Sequence, residues 1–157
     1  MRFPYERYDV PTSPLNGQTE IFRPEIPIHL IGTSGEFFSM ALIDTGADSV
    51  VTGLTIAERI GAMLDRRHER TIHGFSGQTL RATLGHIEVE LTGRNESLCW
   101  QMPVAVVEYS QSSNDEVVVL GQTGFLEYFN VRLFGEEHVV ELKANASFPK
   151  KRRRSAK

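Results

Sequence analysis

Residues Leu42-Ile43-Asp44-Thr45-Gly46-Ala47-Asp48-Ser49-Val50-Val51 carry a carboxylate on a tight turn between two apolar, β-branched runs. Runs of that kind read as buried strands. An unpaired charge is costly to bury, so Asp44 must meet either a satisfying network or a second carboxylate that shares a proton with it. The second arrangement is acid–base chemistry. Two carboxylates a few ångströms apart cannot both ionise cheaply, so one is pushed up and a proton is shared. Such a pair titrates as a unit. The chain contains a single Asp-Thr-Gly.

Other side chains offer less. Cys99 is the only cysteine, which excludes an internal disulfide and a thiolate metal site. Its neighbours Leu98 and Trp100 point to packing rather than nucleophilic chemistry. His29, His68, His73, His86 and His138 are scattered, with no helical pair or short ligand spacing, so no metal is expected. Asp44 and Asp48 do not fit a calcium loop, which needs oxygens at alternate positions and a later Glu. The sequons at Asn95 and Asn145 have no meaning without a secretory route.

With 157 residues and 40% hydrophobic content, the chain suits one globular domain with a modest core. A net charge of -3 says little about partners. No apolar run approaches the length of about 18 residues that spans a membrane. The stretch Met1-Arg2-Phe3-Pro4-Tyr5-Glu6-Arg7-Tyr8-Asp9 shows no apolar signal segment. A cytoplasmic protein without membrane contact is the expectation. The tail Lys150-Lys151-Arg152-Arg153-Arg154-Ser155-Ala156-Lys157 is basic without apolar interleaving. It reads as a disordered, solubilising end, with weak, salt-sensitive nucleic-acid contact as the other reading.

The elements that must position Asp44 can be read outward from it. Ile26–Ile31 and Glu36–Ile43 form a hairpin around Gly32-Thr33-Ser34-Gly35 that delivers the chain to Asp44. Thr55-Ile56-Ala57-Glu58 has the form of a capping box, and Ile56, Ile60 and Met63 fall on helical spacing. Gly61 suits a C-terminal stop, so a short helix is expected near 54–61. Leu64–Glu69 reads as a charged connector. A second hairpin runs from Arg70 to Leu84 around Gly74-Phe75-Ser76-Gly77, and Gly85 marks a bulge or bend before Ile87–Leu91. Leu98–Val107 contains Pro103 and reads as an edge or irregular strand. Tyr109–Glu116 is a polar loop, and Val117–Leu120 is an apolar strand ending at Gly121. Gly124–Asn130 suits one helical turn or two, and Val131–Phe134 with His138–Leu142 closes a last hairpin. Many short strands and one short helix or two indicate an all-β, barrel-like or sandwich domain.

Taken in order, Asp44-Thr45-Gly46-Ala47-Asp48, the glycine-tipped hairpin, the strand ending in Leu120-Gly121, and Gly124-Phe125-Leu126-Glu127-Tyr128-Phe129-Asn130-Val131 resemble the retropepsin-like aspartic proteases, cellular and bacterial members included. The match runs from about Ile26 to Leu142. The resemblance implies a small closed barrel-like fold and an aspartic endopeptidase that needs no cofactor. It implies a homodimer acting on a peptide or protein substrate, because one chain supplies only one catalytic Asp44. An isologous two-fold places that residue opposite its own mate. It further implies that Thr45 ties the two catalytic turns together and that Gly46 admits substrate backbone. Ala47, Asp48, Gly74, Phe75, Ser76 and Gly77 would line the substrate site, the last four as a flap. The implied division is an extended arm over 1–25, the protease domain over 26–143 and a basic tail over 144–157.

Gln122 departs from the pattern, since many viral members place Arg there to pair with the acid matched to Asp48. The two-glycine tip is shorter than a longer glycine run and suggests a stiffer lid. Other readings stay open. Asp44 also fits an Asx-type structural turn, and Asp48 a cap or a solvated charge. Gly74–Gly77 also fits an ordinary hairpin turn. The whole fold could also serve as a non-catalytic peptide-binding or dimerisation module.

Overall fold

The computed structural model describes residues 1–73, 79–108 and 117–149. The expected flap tip Gly74, Phe75, Ser76 and Gly77 therefore lies outside the described residues, as do the polar loop 109–116 and the basic stretch 150–157.

The N-terminal stretch forms β1 (Arg2–Pro4), β2 (Glu6–Asp9) and β3 (Glu20–Arg23). Next come β4 (Glu25–Ile31), β5 (Glu36–Ile43), β6 (Val51–Gly53) and the helix α1 (Leu54–Ile60). Three long strands follow: β7 (Met63–His73), β8 (Thr79–Thr92) and β9 (Ser97–Val107). Then come β10 (Val118–Leu120), a 3-10 turn over Leu126–Tyr128, β11 (Phe129–Phe134) and β12 (Val139–Ala144). The expectation of an all-β domain with one short helix or two holds, the second helix being only that 3-10 turn.

Six strands close into a barrel in the order β4-β5-β10-β6-β9-β8, with β8 returning to β4. The seam is short: His29, Leu30 and Ile31 pair with Glu90, Val89 and Glu88. Period-two alternation explains the closure. Ile26, Ile28 and Leu30 of β4, Ile87, Val89 and Leu91 of β8, and Leu98, Trp100 and Met102 of β9 all point inward and are buried. Residues between them such as Pro27, Glu88 and Gln101 are exposed or half-buried, whereas Glu25 is buried. β7 stands outside the ring and pairs only with β8 among the described residues.

Four local expectations need correction. Helix α1 begins after Gly53, which acts as N-cap without a side-chain bond, so the capping box does not form. Gly53 still pairs with Val107 as the last residue of β6, and the chain passes directly from strand to helix. Thr55 is thereby carried into the first turn. The stop at Gly61 is as expected, at φ 67. Leu64–Glu69 is not a connector but part of β7. An outermost strand tolerates charges because its side chains reach water. Gly85 does not interrupt β8, which runs unbroken for 14 residues. Its missing side chain instead admits β7, since a Cβ there would lie 2.7 Å from the Met63 carbonyl oxygen. Pro103 sits inside a barrel strand, at a point where β9 pairs with β8 but not yet with β6.

The N-terminal residues are held at both ends. β1 pairs with β12, burying Phe3 opposite Val140, and β12 in turn pairs with β11. β2 and β3 form a hairpin that is tied to the barrel where the Tyr8 hydroxyl donates to the Glu25 carboxylate at 2.5 Å.

Candidate active site

Strand β5 sets the position of Asp44. Its last residue, Ile43, donates its N–H to the Pro24 carbonyl at 3.0 Å, and the Asp44 N–H donates to the Leu120 carbonyl at 3.1 Å. β10 lies parallel to β5 with Leu120 beside Ile43. Both its end residues, Val118 and Leu120, are buried, as a strand wedged between two others requires. The apolar run before Gly121 thus anchors the segment carrying the carboxylate.

The turn itself is closed by its own acid. The Asp44 carboxylate accepts the Gly46 N–H at 2.8 Å, and the Ala47 N–H donates to the Asp44 carbonyl at 3.3 Å. This is the Asx-type geometry that a short acidic side chain makes with backbone two residues on.

A second loop, 121–124, locks against the first. The Gln122 and Thr123 N–H groups donate to the Ala47 and Asp48 carbonyls at 2.8 and 3.0 Å, and the Val50 N–H returns to the Thr123 carbonyl at 3.0 Å. Approach is so close that a Cβ on Gly121 would collide with the carbonyl oxygens of Ser49 and Ala47. Glycine is therefore required here for space. The Gln122 side chain adds a cross-loop tie, its Nε2 donating to the Thr45 carbonyl at 2.9 Å.

Behind this pair of loops sits an aromatic support. The Trp100 indole N–H donates to the Gly124 carbonyl at 3.2 Å, and its ring meets Phe129 and Phe148 edge-on. Phe125 stacks on Phe129 with centroids 4.8 Å apart. Gly124 adopts φ 99, a conformation open to glycine, and its N–H reaches the Glu127 carboxylate at 2.6 Å.

Asp44 and Ala47 are half-buried, while Thr45, Gly46 and Asp48 are exposed. Five of the expected site residues are thus gathered on one turn; Gly74, Phe75, Ser76 and Gly77 lie outside the described residues. Among the described residues, Gly46 supplies the hydrogen-bond donor to the Asp44 carboxylate, and Asp48 makes no ion pair. Gln122 is the residue whose role the sequence reading missed. It serves the Thr45 backbone rather than the Asp48 acid, and its amide group, which both donates and accepts, was the available signal. Cys99 is half-buried and donates to the Glu88 carboxylate at 3.4 Å, on the barrel's outer face.

Among the described residues, no group of three His, Cys, Asp or Glu side chains could hold a metal ion. No helix there is long and apolar enough to cross a membrane.

Neither a family model nor a curated protein matches the chain. Among solved structures, the EIAV protease in complex with an inhibitor is similar over 63% of this chain and 81% of that one, at 18% identity and a TM-score of 0.40.

Proposed function

We propose that the chain is an aspartic endopeptidase of the retropepsin-like kind that works as a homodimer. The observation that carries this reading is the Asp44 turn. A half-buried carboxylate accepts the Gly46 N–H within its own turn, and that turn is locked by a second loop through the Thr45, Ala47 and Asp48 carbonyls, beside exposed Thr45, Gly46 and Asp48. That is a rigid mounting for a single acid whose counterpart is absent from the same turn. A two-fold axis through this surface would supply it as the partner's own Asp44.

The chemistry then follows from shared protonation. The ionised member of the pair takes a proton from a water, whose oxygen attacks the scissile carbonyl carbon. The protonated member gives its proton to the carbonyl oxygen, so the pair keeps one proton throughout this step. Collapse of the resulting diol breaks the C–N bond as a proton passes to the leaving nitrogen. Thr45 would join the two turns across the axis. Ala47 and Asp48 would meet substrate main chain, and Gly74, Phe75, Ser76 and Gly77 would close over it. Arm, protease domain and tail at 1–25, 26–143 and 144–157 complete the proposed organisation.

Asp44→Asn should abolish peptide cleavage while leaving the thermal unfolding transition in place. A purified Asp44→Asn protein that still cuts would refute the assignment.

A non-catalytic peptide-binding or dimerisation module is the second reading, favoured by the neutral Gln122 and by an Asp48 that has no cationic partner among the described residues. A peptide mimic carrying a hydroxyl in place of the scissile carbonyl separates the two. Tight binding that peaks at mildly acidic pH indicates a working carboxylate pair. Weak, pH-independent binding indicates the module.

A further inference from the structure

The eleven-residue strand β7 carries an unusual feature on its outer side. Its pairing with β8 jumps from Asp65–Leu84 to Glu69–Thr83, so Arg66, Arg67 and His68 have no opposite number and stand out as a bulge. Asp65 organises it. Its carboxylate accepts the Arg67 backbone N–H and Nε, both at 3.1 Å, and meets His68 Nδ1 at 2.9 Å. The Arg67 guanidinium and then His68 hold the Asp65 carboxyl down at about 2, so it stays ionised and offsets Arg67. Arg66, Arg70 and Arg81 are exposed and make no ion pair among the described residues.

This concentration of cations is out of keeping with the rest of the protein. Six of the 17 lysines and arginines fall in 150–157, leaving eleven against all 20 acids. Four of those eleven (Arg66, Arg67, Arg70 and Arg81) lie on β7 and the start of β8, with Asp65 and exposed Glu69 as the acids among them, while Glu88 and Glu90 lie further along β8. Elsewhere Arg2, Arg7, Arg23 and Arg132 each meet a carboxylate. Beside the bulge lies an open depression lined by Met63, Leu64, Asp65, Arg66, Arg67 and His86, with Met63 57% exposed.

We infer that the outer edge of β7 is a docking surface for an extended acidic polypeptide segment carrying an apolar side chain. The edge, which has no strand partner among the described residues, offers strand hydrogen bonds, Arg66, Arg67 and Arg70 attract carboxylates, and the depression beside Met63 takes the apolar group. No Phe, Tyr or Trp occurs between Met63 and His73 to stack a base, which favours polypeptide over single-stranded nucleic acid. As a surface that recruits substrate it rests on the peptidase reading; as a binding surface it does not.

The test uses the full chain with Asp44→Asn, so that nothing is cut. Fluorescence anisotropy follows a labelled oligoglutamate containing one central leucine, its glutamine analogue, and a thymidine oligonucleotide of equal charge. The acidic peptide should bind best. Adding Arg66→Glu and Arg70→Glu should weaken it at least about fivefold, and Arg66→Gln with Arg70→Gln should fall between, at unchanged unfolding temperature. Replacing Lys150, Lys151, Arg152, Arg153 and Arg154 by Gln should weaken it less than the Glu pair does. A smaller loss from the Glu pair, a larger one from the tail, or tighter binding of the oligonucleotide overturns the inference. In the unmutated Asp44 protein, the Glu pair should raise KM for a substrate with acidic flanks and leave kcat unchanged. Absence of any cleavage would count against the peptidase reading while leaving the binding result intact.

Discussion

Gln122 and Gly121 show how narrow the tolerance is around Asp44. Gln122→Ala removes the tie to the Thr45 carbonyl, a single exposed hydrogen bond that contributes about 1 kcal/mol at most. On the peptidase reading its expected effect is on positioning, with kcat down about tenfold and KM little changed. Steady-state kinetics at fixed protein concentration would read this, and an unaltered kcat would mean that the turn holds its shape without the tie. Gly121→Ala is a harsher change, because the new methyl meets two backbone carbonyls that cannot swing aside. A loss of more than about 3 kcal/mol is expected, visible as a fall in denaturation midpoint. At this scale the turn that carries Asp44 was legible in the sequence, since a carboxylate between two apolar runs falls where strand β5 ends. The role of Gln122 was not, because its partner is a main-chain oxygen 77 positions away.

Tyr8 ties an N-terminal hairpin to the barrel through a bond that can be titrated. The hydrogen bond to Glu25 is the main reason its phenol is pushed up to about 12, with burial adding to it. A phenol whose pKa is higher in the folded protein stabilises the fold fully below its ordinary value near 10, and that contribution disappears as pH rises through about 12. Tyr8→Phe should therefore cost about 1–2 kcal/mol at neutral pH, with the gap to the unmutated protein closing across that window. Chemical denaturation at stepped pH measures it, and a gap constant from pH 10 to 12 would contradict the linkage.

At the scale of elements, alternation was a reliable guide and punctuation less so. Strand β4 was readable because Ile26, Ile28 and Leu30 are apolar at every second place, and β5 followed from the hairpin turn, although Ser39 stands on its inner face and Phe38 and Met40 are exposed. The helix was readable from Ile56 and Ile60, both buried, and from Gly61. Thr55 misled because β6 runs straight into α1, so Gly53 takes the N-cap place and Thr55 falls inside the first turn. The acids and bases of Leu64–Glu69 misled because an outermost strand needs no apolar face along its whole length. Gly85 misled because it serves the approach of a neighbouring strand rather than a bend. β1 was hidden in a stretch rich in turn formers, yet Phe3 is part of the core. Phe3→Ala should cost about 3–5 kcal/mol, as a drop in thermal midpoint; a cost under about 1 kcal/mol would show that β1 is dispensable.

For the molecule as a whole, the proposed chemistry requires two copies, so specific activity should rise with protein concentration until dimers dominate. Activity that is linear in protein down to the dilution limit, from a species that sediments as a monomer, would exclude a shared reaction centre. Nothing in a single sequence displays such a centre, because half of it belongs to another molecule.

The pairing of β1 with β12 bears on that encounter. A lone copy satisfies its N-terminal strand at home, along Arg2, Phe3 and Pro4 opposite Glu141, Val140 and Val139. That strand is not free to be traded with a double, so in the proposed dimer the attraction between copies would come from other contacts, the Asp44 turns among them. Such a catalyst would stay silent while scarce and awaken with crowding, its output climbing as the square of its abundance in dilute solution.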